Sequence, residues 1–304
     1  MTSAAPDARF EQLIQTIEPQ SRLLRAWQLT GGVSAQVTAL EIERSDGQTT
    51  KLIVRRHGPV DLAHNPNIAA DEFKLLQILQ AAGLAAPRPY LVDQSGAIFG
   101  TPCIVIEYIE GGPEFAPANP SDLLLQMATH LADIHALDGT SPELVFLPQI
   151  EQRYTARLEE RPAVLDETLD ESRIRAGLEA VWPLQPRNRS ALLHGDFWPG
   201  NLLWRDERLV AVIDWEDAAL GDPLADLANT RLEILWAFGI DAMQEFTRQY
   251  QALAAIDLAN LPYWDLCAAL KPIAQIDAWI DDVTIRQTMR AGLRSFIDQA
   301  LAQL

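Results

Sequence analysis

The stretch from Leu192 to Asp226, LLHGDFWPGNLLWRDERLVAVIDWEDAALGDPLAD, constrains this chain more than any other. Asp196 stands five residues before Asn201. Leu202-Leu203-Trp204 and Leu209-Val210-Ala211-Val212-Ile213 read as two strands of a hairpin around the turn Arg205 to Arg208. Closing that hairpin would carry Asp214 back beside Asn201, thirteen positions earlier in the chain. A short segment would then hold one carboxylate able to act as a base. It would also hold two hard oxygen ligands of the kind Mg²⁺ takes. Solvated loop carboxylates and a helix-capping Asn are the bland alternative, and an isolated Asp-x₄-Asn pair would not exclude it. The His-Gly-Asp start, the apolar strand and the Asp-Trp-Glu together do.

The Asp196–Asn201 spacing is that of the H-x-D-x-x-x-x-N loop of protein kinases. With Ile213-Asp214-Trp215-Glu216 and Gly221-Asp222-Pro223, the segment His194 to Asn201 resembles the aminoglycoside phosphotransferase family. The resemblance implies an α+β, two-lobed protein-kinase-like fold. A small N-terminal antiparallel β lobe with one helix would occupy residues 1–107, a hinge 108–113, and a larger, mainly α-helical lobe 114–304. It implies transfer of the γ-phosphoryl group of ATP or GTP, with Mg²⁺, to a hydroxyl of a small molecule. Asp196 would be the catalytic base, and Asn201 and Asp214 the metal ligands. Such chemistry rests on positioning and charge neutralisation rather than on covalent help from the protein. His194 is expected to brace the loop, and Asp222 and Asp226 to hold its backbone and cap the next helix.

Upstream, Phe10, Leu13, Ile14 and Ile17 recur at helical spacing and predict a packing helix. Gly31, Gly32 and Ser34 stand between two predicted strands, where a kinase-like chain carries its phosphate-cradling glycines. They depart from G-x-G-x-x-G, and a plain hairpin turn would use the same glycines. Lys51 to Arg56 reads as the next strand, whose cation should hold the nucleotide phosphates. Alternation lets only one of Arg55 and Arg56 face them, and the resemblance favours Arg55, with Arg supplying a bidentate fork in place of Lys. His57 to Ala69 is expected to be a loop and Ala70 to Ala82 a helix stopped by Gly83. On that helix Glu72 would pair with Arg55, Asp71 being the rival. The strand Cys103 to Ile109 runs into Glu110-Gly111-Gly112-Pro113, and the backbones of Glu107, Tyr108 and Ile109 are the expected contacts to the adenine edge.

Beyond the hinge, helices are expected with Ser121-Asp122 as a cap, then over 150–165 and 172–182. Arg153, Arg157 and Arg161 recur at i, i+4 and read as a solvated face. His130 and His135 read as packed or capping. Trp236, Trp264 and Trp279, near Asp241, Asp277, Asp281 and Asp282, would suit an ammonium-bearing acceptor, with core packing and solvation as the competing reading. Composition narrows the partners. A formal net charge of −18 argues against nucleic acid and favours a cationic or neutral substrate. No run approaches a membrane span, no signal peptide is visible, and two cysteines suit a reducing cytoplasm rather than a disulfide framework. Three functions stay open: an antibiotic kinase, a metabolite kinase for an amino alcohol or sugar, and a nucleotide-binding regulator without turnover.

Overall fold

The computed structural model describes residues 8–29 and 35–304, so Gly31, Gly32 and Ser34 lie outside the described residues. The chain divides into two compact units, residues 1–110 and 111–304.

The first unit is built on five antiparallel strands in the order β1-β2-β3-β5-β4. Before them comes α1 (Ala8–Ile17), and the strands β1 (Arg22–Gln28), β2 (Ala35–Glu43) and β3 (Thr49–His57) follow as a meander. Next come α2 (Pro59–His64), α3 (Ile68–Ala81), β4 (Pro89–Asp93) and β5 (Cys103–Glu107). Strand alternation separates two faces of the sheet. Leu40, Ile42, Leu52, Val54, Cys103 and Val105 pack under Phe10, Leu13 and Ile14 of α1. Arg55 and His57 take the opposite parity on β3.

Among the described residues this unit holds three helices: the two that periodicity predicts, α1 and α3, and the unexpected α2, against the single helix that the resemblance implies. The amphipathic α1 covers an apolar sheet face. The expected loop over 57–69 contains α2, because Pro59 sits at its first position, where a missing N–H costs nothing. Asp61 there accepts the Gly58 N–H at 3.1 Å.

In the second unit α4 (Pro120–His135) starts from Asn119, whose side chain accepts the Asp122 N–H at 3.2 Å. The cap is therefore Asn119, with Pro120 at the first turn, and not Ser121-Asp122. The helix α5 (Ile150–Glu159) ends short of 165, because Pro162 disfavours helical backbone just before it. After α6 (Glu171–Glu179) come β6 (Ala191–Leu193), β7 (Leu202–Arg205), β8 (Arg208–Val212) and β9 (Ala219–Gly221). The pairs are β6 with β9 and β7 with β8, both antiparallel. Four helices complete the unit: α7 (Leu224–Phe238), α8 (Ile240–Leu253), α9 (Leu261–Trp279) and α10 (Val283–Leu301).

Core residues such as Met127, Leu131, Ile234, Phe246 and Leu266 are fully enclosed. Leu131→Ala should cost about 2–5 kcal/mol through lost burial and the cavity left behind. Urea unfolding checks it: the midpoint falls while the denaturant slope stays unchanged.

Candidate active site

Three short segments converge on Asp196. The first is its own loop, which leaves β6 at His194. Gly195 takes φ +83°, and a side chain there would run into the Asp217 carbonyl, so the turn requires glycine. The backbone N–H groups of His194 and Gly195 donate to the two carboxylate oxygens of Asp226 at 2.6 and 2.9 Å. His135 Nε2 lies 3.2 Å from the same carboxylate, and His135 Nδ1 is 2.6 Å from the Tyr250 hydroxyl. Thr230 on α7 donates to the Phe197 carbonyl at 2.9 Å. Asp222 accepts the Leu224 N–H at 3.0 Å, so it caps the start of α7.

The second segment carries Asp214. Ile213 N–H donates to the Asn201 carbonyl at 2.9 Å, which closes the β7–β8 hairpin and seats Asp214 next to Asn201. His194 ties this strand to the loop. Its Nδ1 accepts the Asp196 N–H at 3.2 Å, so Nε2 carries the hydrogen and donates to the Ile213 carbonyl at 3.0 Å. The ring is fully buried, 4.5 Å from the Trp215 ring centroid. Asp214 itself takes left-handed backbone, φ +69°, which Asp tolerates better than most residues. Asn201 Nδ2 donates to both the carbonyl and Oδ2 of Asp196, at 3.0 and 3.1 Å. That orientation turns the Asn201 amide oxygen away from Asp196, where it can act as a ligand. A buried amide oxygen beside a carboxylate is a hard-oxygen set that fits Mg²⁺.

The third segment is absent from the motif. Lys271 of α9 places its Nζ 4.0 Å from Asp196 Oδ1. It is the sole lysine among residues 111–304, in the otherwise apolar run Cys-Ala-Ala-Leu-Lys-Pro-Ile-Ala, and that isolation was the available signal. Burial pushes the Asp196 carboxyl above the usual carboxylate range, opposed first by Lys271 and reinforced by Asp217. Glu233 on α7 was also missed. Burial and the Asp196 charge push its carboxyl up to about 8, with Lys271 pulling the other way, so it holds a proton at neutral pH.

The row Arg153, Arg157 and Arg161, the last of them just beyond α5, is only partly a solvated face. Arg161 is exposed against Glu179, whereas Arg153 turns inward, 3.3 Å from the Asp217 carboxylate. Three members of the aromatic and acidic group expected around an ammonium-bearing acceptor are engaged elsewhere. Trp264 is buried in the core against Tyr154 and Trp182, Asp282 caps α10, and Asp277 pairs with Arg286 and Arg290.

The N-terminal unit has its own polar cluster. Glu72 on α3 is buried, with Oε2 3.6 Å from Arg55 Nε and 3.1 Å from His57 Nε2. His57 was not anticipated, although it shares the Arg55 face of β3. Arg56 lies on the other face, its guanidinium 5.0 Å from the Phe99 ring centroid. Asp71 is taken by Asn65 Nδ2 at 2.9 Å. Glu107 N–H donates to the Arg88 carbonyl at 2.8 Å and Tyr108 N–H to the Lys51 carbonyl at 3.4 Å. Of the three expected base contacts, Ile109 is left with the N–H that these bonds do not occupy.

An antiparallel five-stranded unit followed by a helical unit that carries Asp196, Asn201 and Asp214 is a kinase-like fold of the kind found in small-molecule phosphotransferases. The chain belongs to the phosphotransferase enzyme family, whose sequence model matches residues 27–269. It is 26% identical over 257 residues to acyl-CoA dehydrogenase family member 11 of Rattus norvegicus, covering 72% of this chain and 32% of that protein. The chain thus spans about a third of the length of that curated relative. It is 29% identical over 163 residues to a homoserine kinase of Methylocella silvestris, covering 51% of this chain and 49% of the relative. In fold it is similar to the streptomycin–ATP ternary complex of APH(2″)-IIa, with a TM-score of 0.62 and 17% identity, covering 95% and 99% of the two chains. No helix among the described residues is long and apolar enough to cross a membrane.

Burial alone would raise the Asp226 carboxyl, but the bonds from His135 and the loop amides outweigh it and hold it below the usual range. A depressed folded value means that its stabilisation is fully present above about pH 4 and fades as pH falls through that value. Asp226→Asn should cost about 3 kcal/mol at neutral pH, since one amide of the loop loses its acceptor inside the protein. Urea titrations of both proteins from pH 7 to pH 3 should show the gap between them closing at the acid end.

Proposed function

We propose that this chain is a cytoplasmic enzyme that moves the γ-phosphoryl group of ATP, or of GTP in its place, to a hydroxyl of a small metabolite. The observation that carries this reading is the arrangement around Asp196: a carboxylate fixed by Asn201 on one side, faced by Lys271 on the other, with Asp214 brought back beside Asn201.

Each residue then has a task. Asp196 orients the acceptor hydroxyl and takes its proton, a role worth about a hundred- to ten-thousand-fold in rate. Lys271 compensates the charge of the transferring group. Asn201, through its amide oxygen, and Asp214, through its carboxylate, would hold Mg²⁺. When bound, that ion neutralises phosphate charge. In the N-terminal unit the buried Arg55–Glu72 pair is the candidate holder of the nucleotide phosphates, and Ile109 N–H the candidate contact to the base. The ATP in the APH(2″)-IIa complex supports the choice of donor.

The acceptor divides two readings. Streptomycin in that same complex favours an antibiotic, whereas the homoserine kinase relative favours a hydroxylated metabolite. We take the metabolite, because two of the carboxylates that would have met a polycation are engaged, Asp277 in ion pairs and Asp282 in a helix cap.

ADP release from Mg-ATP across amino alcohols, hydroxy acids, sugars, aminoglycosides and macrolides tests the reaction. Asp196→Asn should reduce acceptor-dependent release by at least about a hundredfold while nucleotide binding persists. Full turnover in that variant would sink the assignment. Nucleotide binding with no release from any acceptor would instead mark a regulator. Separately, Asp214→Ala should weaken nucleotide binding only when Mg²⁺ is present, as calorimetry with and without the ion would show.

A further inference from the structure

A cavity lined by Lys271 and by Gly195, the residue before Asp196, sets three cationic side chains against the two carboxylates Asp217 and Asp226, in a chain whose formal net charge is −18. It encloses about 230 Å³ in the second unit, and its lining includes Arg153, Tyr154, Arg157, Asn229 and Lys271. The charges on that wall do not cancel. Arg153 is engaged, because its guanidinium meets the Asp217 carboxylate at 3.3 Å and donates to the Asp217 carbonyl at 3.1 Å. Asp226 is consumed by the loop amides and His135.

Arg157 differs. It lies one turn further along α5, half-buried, with its guanidinium 5.6 Å from the Tyr154 ring centroid. Among the described residues no carboxylate approaches it within ion-pair distance. Lys271, among the described residues, makes its ion pair with Asp196, at 4.0 Å, and its charge also acts on the carboxyl of Glu233. Asn229 on α7 contributes a buried Nδ2 with no acceptor. Three donors thus surround one cavity without enough acceptors among them. A buried donor left unmatched is costly, a cation more so, and an anion seated there would offset that cost.

We propose that this cavity seats an anionic group of the acceptor, a carboxylate or a phosphate ester carried on the same molecule as the hydroxyl. The acceptor class is then a hydroxy acid or a phosphorylated alcohol, not a polycation. This rests on the phosphotransfer reading. In that reaction the acceptor oxygen forms a bond to the γ-phosphorus, the bond from that phosphorus to the β,γ-bridging oxygen breaks, and ADP leaves. The hydroxyl proton passes to Asp196. Arg157 and Asn229 would hold the anion and so fix the hydroxyl at Asp196, while the acidic surface elsewhere repels such acceptors from unproductive sites.

The test uses four matched probes: 3-hydroxypropionate, 3-hydroxypropyl phosphate, 1,3-propanediol and 3-aminopropan-1-ol. Calorimetry on the whole chain with Mg-ADP present measures binding, and ADP release from Mg-ATP measures turnover. One or both anions should bind at least about tenfold tighter than the diol or the amine, and the stronger of the two identifies carboxylate or phosphate. Arg157→Gln should remove about tenfold of that affinity, and the near-isosteric Asn229→Asp should weaken it as well. Equal affinity for all four probes, no binding of either anion, or undiminished anion binding in both folded variants would overturn the proposal. Anion binding that survives without any ADP release would leave this site standing and bring down the phosphotransfer reading instead.

Discussion

The buried carboxylate of Asp226 is the contact on which the site depends. It accepts the amide hydrogens of His194 and Gly195 and faces His135, so one residue of α7 fixes the loop that carries Asp196. A charge so enclosed would be unfavourable alone. It persists because every partner around it is a donor, and charge-assisted bonds in a low-dielectric interior outweigh the loss of water. His194 extends the same network to the hairpin, bonding the Asp196 amide with one ring nitrogen and the Ile213 carbonyl with the other. Asp196 and Asp214 are thereby set by a single rigid assembly of backbone and buried side chains.

Such rigidity suits a reaction that gains its rate from position and charge. The side chains that would act are held by groups that do not touch a reactant: Thr230 on the Phe197 carbonyl, Asn201 on Asp196, Tyr250 behind His135. Around Asp196 the field is mixed. Lys271 favours the ionised carboxylate, while burial, Asp217 and Asp214 oppose it. The surface acidity of the whole chain says little about this interior, because a few basic side chains at short range outweigh many screened charges at long range.

Local chemistry announced itself in the chain and long-range pairing did not. The loop, the hairpin and the identities of Asp196, Asn201 and Asp214 could be named because they lie within one short segment whose strand alternation and turn residues are self-sufficient. So could Glu72 as a partner for Arg55, through helix and strand periodicity together with the resemblance. His57 shares the Arg55 face by the same alternation, and it was overlooked because a histidine after two arginines reads as the end of a strand. The cap at Asn119 and the short helix after Gly58 were misplaced through proline, which starts helices as readily as it stops them.

Lys271, Glu233, Arg153 and Arg157 belong to another category. They come from α5, α7 and α9, far apart in the chain, and nothing in their neighbours marks them as a group. Helical periodicity says which face of each helix is polar. Which polar face turns toward Asp196 is set by how the helices pack, through the fit of apolar side chains such as Leu131, Phe246 and Leu266. Residue order was enough to show the resemblance to the phosphotransferase family, because the three oxygen-bearing side chains that carry it lie within one short segment. The charge around Asp196 came from packing, since it is a sum over side chains that only the folded chain brings within a few ångströms of one another.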